Sequence, residues 1–275
     1  NPQTLGHHST PNQFTHNAWI SEDGDYVFTT DEQSDSYIGS YNVEDMNNIQ
    51  EVDRIQSNPG SNSIPHNTHV DGDFLVTSWY RDGTIVHDAT YPNNLIQVAY
   101  YDSYSGSGDG FDGCWGTYPF LPSGLIISTD INSASNGNGR LLVFERGFSQ
   151  GCYLQGIVTD VTSGQNISGA NIVILNTSIS NNSTTDLSGN YTSGNADDGV
   201  FDVVFSKIGY ISDTLQANLV SGQITFLNAS LLVDNSVSIL GCMNPSSNNF
   251  NPSANTSLEF GGEANNTFSS GGYFM

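Results

Sequence analysis

Basic side chains are scarce in this 275-residue sequence, which has 5 Lys and Arg against 28 Asp and Glu and a formal net charge of −23. Nucleic acid is excluded as a partner, because phosphate binding needs a basic surface. Direct membrane insertion is excluded too, because no apolar run approaches the roughly 20 residues that span a bilayer. The unpaired carboxylates either keep a secreted protein soluble or bind divalent cations, of which Ca²⁺ is the expected one.

Cysteine is equally sparse, with three residues and no C-x-x-C pair, which excludes a cysteine zinc knuckle. Cys152 opens the second predicted domain and Cys242 follows its last predicted strand, so a disulfide between them is the expected pairing. Cys114 lies beside Trp115 in an apolar context and is predicted to be a buried thiol. The number and placement of these cysteines fit an oxidising, extracellular setting.

Long helical patterns and enzyme signatures are also missing. Strand-like segments and polar turns dominate, which predicts an all-β chain. The sequence contains no H-E-x-x-H pair and no P-loop, and its G-x-S-x-G and G-x-G-x-x-G matches, GFSQG (147–151) and GDGFDG (108–113), lead into strand patterns rather than helices. Nothing in the sequence therefore marks a catalytic nucleophile.

A repeated unit is the strongest positive signal. The stretches FTHNAWISEDGDYVFTTDE and IPHNTHVDGDFLVTSWY superimpose His16 on His66 and Gly24 on Gly72. Each D-G-D is predicted to be a hairpin turn, where glycine accepts a positive φ; a Ca²⁺ site there has too few carboxylates. Each unit of about fifty residues predicts four short strands, the layout of a β-propeller blade.

A degenerate third copy, FDGCWGTYPFLPSGLIISTDI, follows. The alignment places Trp115 where Trp19 stands, Ser123-Gly124 at the D-G-D turn, and Asp130 where Asp31 stands. Three blades cannot close a ring. We therefore expect the missing blades upstream of Asn1 or on other chains, and favour the first.

These units resemble the LVIVD-repeat, choice-of-anchor B proteins of bacterial surfaces over residues 14–146, most specifically in the run WGTYPFLPSG. The resemblance implies the carboxy-terminal blades of a propeller in a secreted or surface-anchored protein. It implies no reaction, because the family has no established activity.

From Cys152 the pattern changes to strands and Gly-centred turns every eight to twelve residues, which predicts a β-sandwich. The segments GIVTD, GANI, TDLSGNY and SKIGY occur in the order found in the carboxypeptidase regulatory-like (transthyretin-like) domain, which this part resembles. The resemblance implies a non-catalytic spacer or interaction module.

The tail is rich in Asn, Ser and Gly, and GCMNPSSNNFNPSANTS resembles a short motif of Bacteroidetes surface proteins. Asn244 stands where that motif has Asp, which leaves Ca²⁺ binding there in doubt. The closing NNTFSSGGYFM resembles the first strand of a type IX secretion sorting domain. The predicted domains are thus a partial propeller of three blades (1–148), a sandwich (149–234) and a tail (235–275).

Histidines in the repeats are the candidate metal ligands, with Glu32 among the carboxylates that accompany them. The favoured set is His16, His66, His69, Asp31 and Asp130. The interpretation we prefer is structural: His-Asn recurs because each inner strand begins there and its side chains satisfy backbone groups. Trp19, Trp79, Tyr80 and Trp115 are expected to be core residues, although an exposed, coplanar set would bind sugars.

Together these features predict a non-enzymatic, extracellular binding or structural component of a bacterial surface or secreted assembly. Its partners would be other surface or secreted proteins, or glycans, and its export route would be of the type IX kind. Two alternatives stay open. One is a metal-dependent hydrolase with its site in the propeller channel, and the other is a carbohydrate-binding module.

Overall fold

The chain is an all-β protein, as predicted. The computed structural model describes residues 1–132, 138–179 and 182–236, together with 240–241, 244, 254 and 256–257. Within those residues the elements are strands and one turn of 3₁₀ helix at Tyr80–Asp82. No helix in these ranges is both long and apolar enough to cross a membrane.

The first half of the chain consists of three antiparallel meanders in sequence order. Unit 1 comprises β1 (Thr15–Ile20), β2 (Tyr26–Asp31), β3 (Ile38–Asn42) and β4 (Gln50–Ile55). Unit 2 comprises β5 (Pro65–Asp71), β6 (Phe74–Trp79), β7 (Gly83–Asp88) and β8 (Ile96–Tyr101). Unit 3 comprises β9 (Gly113–Tyr118), β10 (Ile126–Ile131) and β11 (Arg140–Phe144).

Equivalent glycines form the first hairpin turn of each unit. Gly24, Gly72 and Gly124 have φ values of +84°, +60° and +77°. A Cβ atom at any of them would meet nothing within 4 Å, so the requirement for glycine is conformational rather than steric. The predicted D-G-D turns are therefore confirmed, and Ser123-Gly124 takes their place in unit 3.

The first strands of successive units pack together, β1 against β5 and β5 against β9. Side chains from units 1 and 2 share one core, in which Phe28, Ile38, Leu75 and Trp79 are buried. No sheet among the described residues closes on itself. The partial propeller therefore stays a prediction, whereas the repeated meander is observed.

A β-bulge in the first hairpin of each unit corrects the alignment of the third copy. The register shifts lie between Thr15 and Asn17, between Pro65 and Thr68, and opposite Thr129 and Asp130. Asp130 pairs with Cys114 as Asp31 pairs with Thr15, so the match of the two aspartates holds. Counting outward from these pairs places Trp115 at the position of His16 and His66, not of Trp19. The sequence alignment missed this because a one-residue bulge leaves no periodic signal.

The second half is a two-layer β-sandwich, as predicted. One sheet has the order β15-β12-β20-β17, with β19 also on β12, and the other has the order β14-β13-β16-β18. Its strands are β12 (Cys152–Asp160), β13 (Asn171–Ile174), β14 (Asn182–Thr184), β15 (Asn190–Asn195), β16 (Gly199–Ser206), β17 (Tyr210–Ile211), β18 (Asp213–Leu219), β19 (Ile224–Phe226) and β20 (Ala229–Val233). Inward-facing apolar residues of both sheets, such as Leu154, Ile172 and Phe205, form its core.

The sandwich and the meanders share a buried junction, which the sequence did not predict. Tyr153 of β12 is fully buried against Val76, Val86 and Ile96 of unit 2 and Ile126 of unit 3. Burial of this aromatic ring by strands from both halves joins them through a continuous apolar core.

Most of the tail, 235–275, lies outside the described residues. Two short strands there, β21 (Leu240–Gly241) and β22 (Thr256–Ser257), pair in parallel. Cys242 and the proposed sorting segment fall among the residues that are not described, so both of these interpretations stay predictions.

Candidate functional site

Two histidines and one glutamate converge where units 1 and 2 meet. His16 lies in the bulge of β1, Glu32 directly follows β2, and His66 lies in the bulge of β5. Each residue offers a ligand atom within 4.8 Å of those of the other two. The bulges matter because they re-aim a side chain that regular alternation would send elsewhere.

Glu32 is the centre of this group. Its Oε2 lies 3.3 Å from Nδ1 of His16, and its Oε1 lies 3.6 Å from Nε2 of His66. The hydroxyl of Tyr80 donates a hydrogen bond of 2.6 Å to the same Oε1. Loss of water and proximity to this carboxylate raise the pKa of the Tyr80 hydroxyl, which therefore stays a donor.

The tautomer of His66 follows from its surroundings. Its Nδ1 lies 2.5 Å from the backbone oxygen of Trp115, and because a carbonyl only accepts, Nδ1 carries the proton. In the neutral ring the lone pair then sits on Nε2, which faces Glu32. Burial lowers the pKa of His66, although the bond to Trp115 and the charge of Glu32 oppose that shift.

Rings from all three units contact one another in a row across the group. The ring centroids of His16 and His66 lie 4.6 Å apart, and those of His66 and Trp115 lie 5.2 Å apart. Exposure increases outward from His66, which is 4% exposed, to Trp115, which is 50% exposed. The ring row, defined as His16, His66 and Trp115, thus links equivalent positions of three successive units.

The structural interpretation of His-Asn is also supported by contacts. Oδ1 of Asn17 accepts a hydrogen bond of 3.0 Å from the backbone N–H of Thr68 in the next unit. His66 donates to Trp115 of unit 3 in the same way. These side chains satisfy backbone groups between units, yet that role uses only one nitrogen of His66.

The remaining predicted ligands lie elsewhere. His69 packs against Trp19 with ring centroids 4.8 Å apart, and its Nδ1 lies 3.3 Å from the Thr117 hydroxyl. The carboxylate of Asp31 accepts a hydrogen bond of 2.7 Å from the backbone N–H of Asn12. Asp130 forms an ion pair of 3.3 Å with Arg140. The structure therefore brings His16 and His66 together, and it places His69, Asp31 and Asp130 away from them.

Sequence reasoning undervalued Glu32 and missed the roles of Tyr80 and the Trp115 carbonyl. Glu32 stood beside Asp31 in sequence, and only the end of β2 decides which of the two carboxylates faces the histidines. A backbone carbonyl has no sequence signal at all. Tyr80 and Trp79 are buried, as expected of core residues, whereas Trp115 is not.

Cys114 and Cys152 are buried, and they form no disulfide with any described residue. Cys114 is fully buried, which confirms the predicted buried thiol, and this burial raises its pKa to about 12. Burial likewise raises the pKa of Cys152 to about 11. Its expected partner, Cys242, is not among the described residues, so the disulfide stays a prediction.

Comparison with known proteins identifies the family of one domain. Residues 153–232 match the model of the carboxypeptidase regulatory-like domain. This match confirms the resemblance predicted for the sandwich. No comparison supports the LVIVD-repeat resemblance of the meanders, which stays a prediction. No curated protein is significantly similar to the chain.

Solved structures give weaker similarities. The major pilin subunit of Bacillus cereus is 10% identical with a TM-score of 0.26, and the match covers 40% of this chain and 38% of the pilin. The minor pilin of Streptococcus agalactiae is 11% identical with a TM-score of 0.25, and the match covers 44% of this chain and 65% of the pilin. The periplasmic gluconolactonase of Pseudomonas aeruginosa is 16% identical with a TM-score of 0.31, and the match covers 80% of this chain and 58% of the gluconolactonase. The chain thus spans less than two thirds of each, and these scores assign neither a fold nor an activity.

Proposed function

We propose that this chain is a non-enzymatic, extracellular binding or structural component of a bacterial surface or secreted assembly, exported by a type IX-like route. The observation that carries the proposal is the buried junction. It mounts the three meanders on the carboxypeptidase regulatory-like sandwich as one body, which suits a protein that presents a surface rather than one that closes on a substrate.

Polar contacts reinforce the apolar junction. The carboxylate of Asp88, at the end of β7, accepts a hydrogen bond of 2.6 Å from the backbone N–H of Gly151, at the entry to the sandwich. The side-chain amide of Asn94 donates 2.9 Å to the backbone oxygen of Ser193 in β15. The two halves are therefore held at separate points along their strands, in addition to the apolar contact.

An exposed aromatic edge on unit 3 is the surface we assign to recognition. Phe111, Trp115 and Tyr118 are 56%, 50% and 49% exposed. Aromatic side chains offer large contact areas at low entropic cost, and they serve protein and glycan partners alike. The partners we propose are therefore other surface or secreted proteins, or glycans.

Antibody labelling of intact producing cells tests the location, with a cytoplasmic protein as the negative control. Retention of purified chain on those cells tests binding. We expect labelling without permeabilisation, and we expect Trp115→Ser with Tyr118→Ser to lower retention at unchanged thermal stability. Val200→Ser, an exposed apolar residue on the sandwich, is the matched control. Labelling only after permeabilisation would refute the proposal.

A metal-dependent hydrolase is the second candidate, favoured by the convergence of His16, Glu32 and His66. Two imidazoles and one carboxylate are a ligand set that leaves a coordination position open for water in catalytic zinc sites. Hydrolysis of chromogenic ester, phosphoester and glycoside substrates, measured with and without a chelator, tests this candidate. Chelator-sensitive turnover that is lost in Glu32→Gln would favour it over the non-enzymatic component.

A further inference from the structure

A pair of hydrogen-bond acceptors faces each other at the centre of the ring row. The Trp115 carbonyl fixes the proton of His66 on Nδ1, so Nε2 directs a lone pair at Oε1 of Glu32, 3.6 Å away. Both atoms are acceptors, and one of them belongs to a side chain that is almost fully buried. Such an arrangement is unfavourable unless a positive charge lies between the two atoms.

Two kinds of positive charge would resolve it, a proton on Nε2 or a bound cation. A protonated His66 would lie with its ring stacked on the ring of His16 at 4.6 Å and away from most water. Among the described residues, no Lys or Arg forms an ion pair with Glu32 to supply the charge instead.

We propose that His16, Glu32 and His66 bind one divalent transition-metal ion of the zinc class, which clamps unit 1 to unit 2. This proposal is independent of the proposed extracellular role, because it rests only on the geometry of the three side chains.

The distances suit a small ion. Ligand atoms bound tetrahedrally at about 2.0–2.1 Å from Zn²⁺ lie roughly 3.3–3.4 Å from each other. Oε2 of Glu32 lies 3.3 Å from Nδ1 of His16 and Oε1 lies 3.6 Å from Nε2 of His66, and ligand atoms of the three residues all lie within 4.8 Å of one another. The side chain of His16 is 34% exposed and can move to complete the site, whereas His66 and Glu32 are held by their hydrogen bonds with Trp115 and Tyr80.

The ligand types and their supports select the metal. Imidazole nitrogens favour zinc and its neighbours, whereas Ca²⁺ takes six to eight oxygen ligands. A metal-bound histidine usually donates its other N–H to a carbonyl, as His66 does to Trp115, and ligating carboxylates are themselves hydrogen-bonded, as Glu32 is by Tyr80. We therefore place the zinc-class ion here and do not assign Ca²⁺ to this group.

The test uses the full chain with His7 and His8 replaced by alanine, because two adjacent terminal histidines bind metal adventitiously. Chelator-stripped protein is titrated with Zn²⁺ against a chromogenic competitor, and the bound metal is counted by mass spectrometry. We expect about one ion per chain, a higher melting temperature with Zn²⁺, and no competition from millimolar Ca²⁺.

Variants separate metal binding from folding. Glu32→Gln keeps the shape and an acceptor for Tyr80, so it should keep the metal-free melting temperature and lose the Zn²⁺-dependent rise. Tyr80→Phe removes only a supporting hydrogen bond and should weaken Zn²⁺ binding by about 10-fold or more. His69→Ala, which changes a histidine of the same strand outside the group, should bind Zn²⁺ as the parent does.

Clear outcomes would overturn the proposal. They are the absence of stoichiometric Zn²⁺ in the parent protein, or equal affinity in the parent and Glu32→Gln. Equal loss in His69→Ala would also refute it, since that result would indicate a general effect on the fold. Loss of surface labelling would leave the metal proposal intact, and loss of metal would leave the extracellular proposal intact.

Discussion

Asp88 gives the sharpest test of how the two halves of the chain are joined. Its side chain is fully buried, and its Oδ2 accepts a hydrogen bond of 2.6 Å from the Gly151 N–H. Its Oδ1 accepts two more, from the backbone N–H of Thr90 at 2.8 Å and from the Thr90 hydroxyl at 2.6 Å. Every donor in this set therefore depends on one carboxylate.

Asp88→Asn preserves the shape of the side chain and replaces one acceptor oxygen by an amide donor. The best orientation keeps the oxygen on Thr90 and turns the amide towards the buried N–H of Gly151, which then has no acceptor. The substitution removes one charge-assisted hydrogen bond and leaves one buried donor without an acceptor, and each change costs about 1–3 kcal/mol. Removal of a buried charge offsets part of this cost. We expect the free energy of unfolding to fall by about 2–4 kcal/mol.

Equilibrium unfolding in urea, followed by tryptophan fluorescence and circular dichroism, measures this loss. Because the tryptophans lie in the meanders and Tyr153 fuses the two cores, both probes should report one transition in the native chain. Asp73→Asn is the matched control, since Asp73 is exposed and its contact with Gln150 is 3.4 Å long. A loss in Asp88→Asn no larger than the control's, or two separate native transitions, would refute the junction as a clamp.

Two further predictions concern pH and backbone geometry. Burial raises the pKa of Asp53 to about 6 despite its bond from the Leu95 N–H. The protonated carboxyl of Asp53 thus contributes stability below about pH 4, and this contribution is lost as the pH rises through about 6. The loss is at most about 3 kcal/mol, and it is smaller because the side chain is partly exposed. Unfolding free energies between about pH 4 and pH 7 should therefore fall less in Asp53→Asn than in the native chain, and parallel curves would contradict this. Gly72→Ala should cost about 1 kcal/mol, because only its φ of +60° is strained. Gly83→Ala should cost several times more, because its Cβ would lie 2.0 Å from the Tyr101 carbonyl oxygen; equal urea midpoints for the two glycine variants would contradict this difference.

The sequence by itself determined the all-β class, the repeated unit, the turns and the sandwich. Those features are local, since alternation of apolar residues defines strands and glycine between acids defines a turn with positive φ. Gly24 and Gly72 show this directly, because their turns need no information from distant residues. The order of the motifs around Gly156 and Tyr210 likewise indicated the carboxypeptidase regulatory-like domain before any packing was known.

Only the tertiary structure decided which side chains meet. A bulge in β1 and another in β5 set His16 and His66 on one side with Glu32, while His69, three residues on, packs on Trp19 instead. The sequence could not rank Glu32 above Asp31, because adjacent strand residues exchange faces with a one-residue shift of register. The contacts of His66 come from three different units, so its second nitrogen has a free lone pair only because the sheets pack as they do.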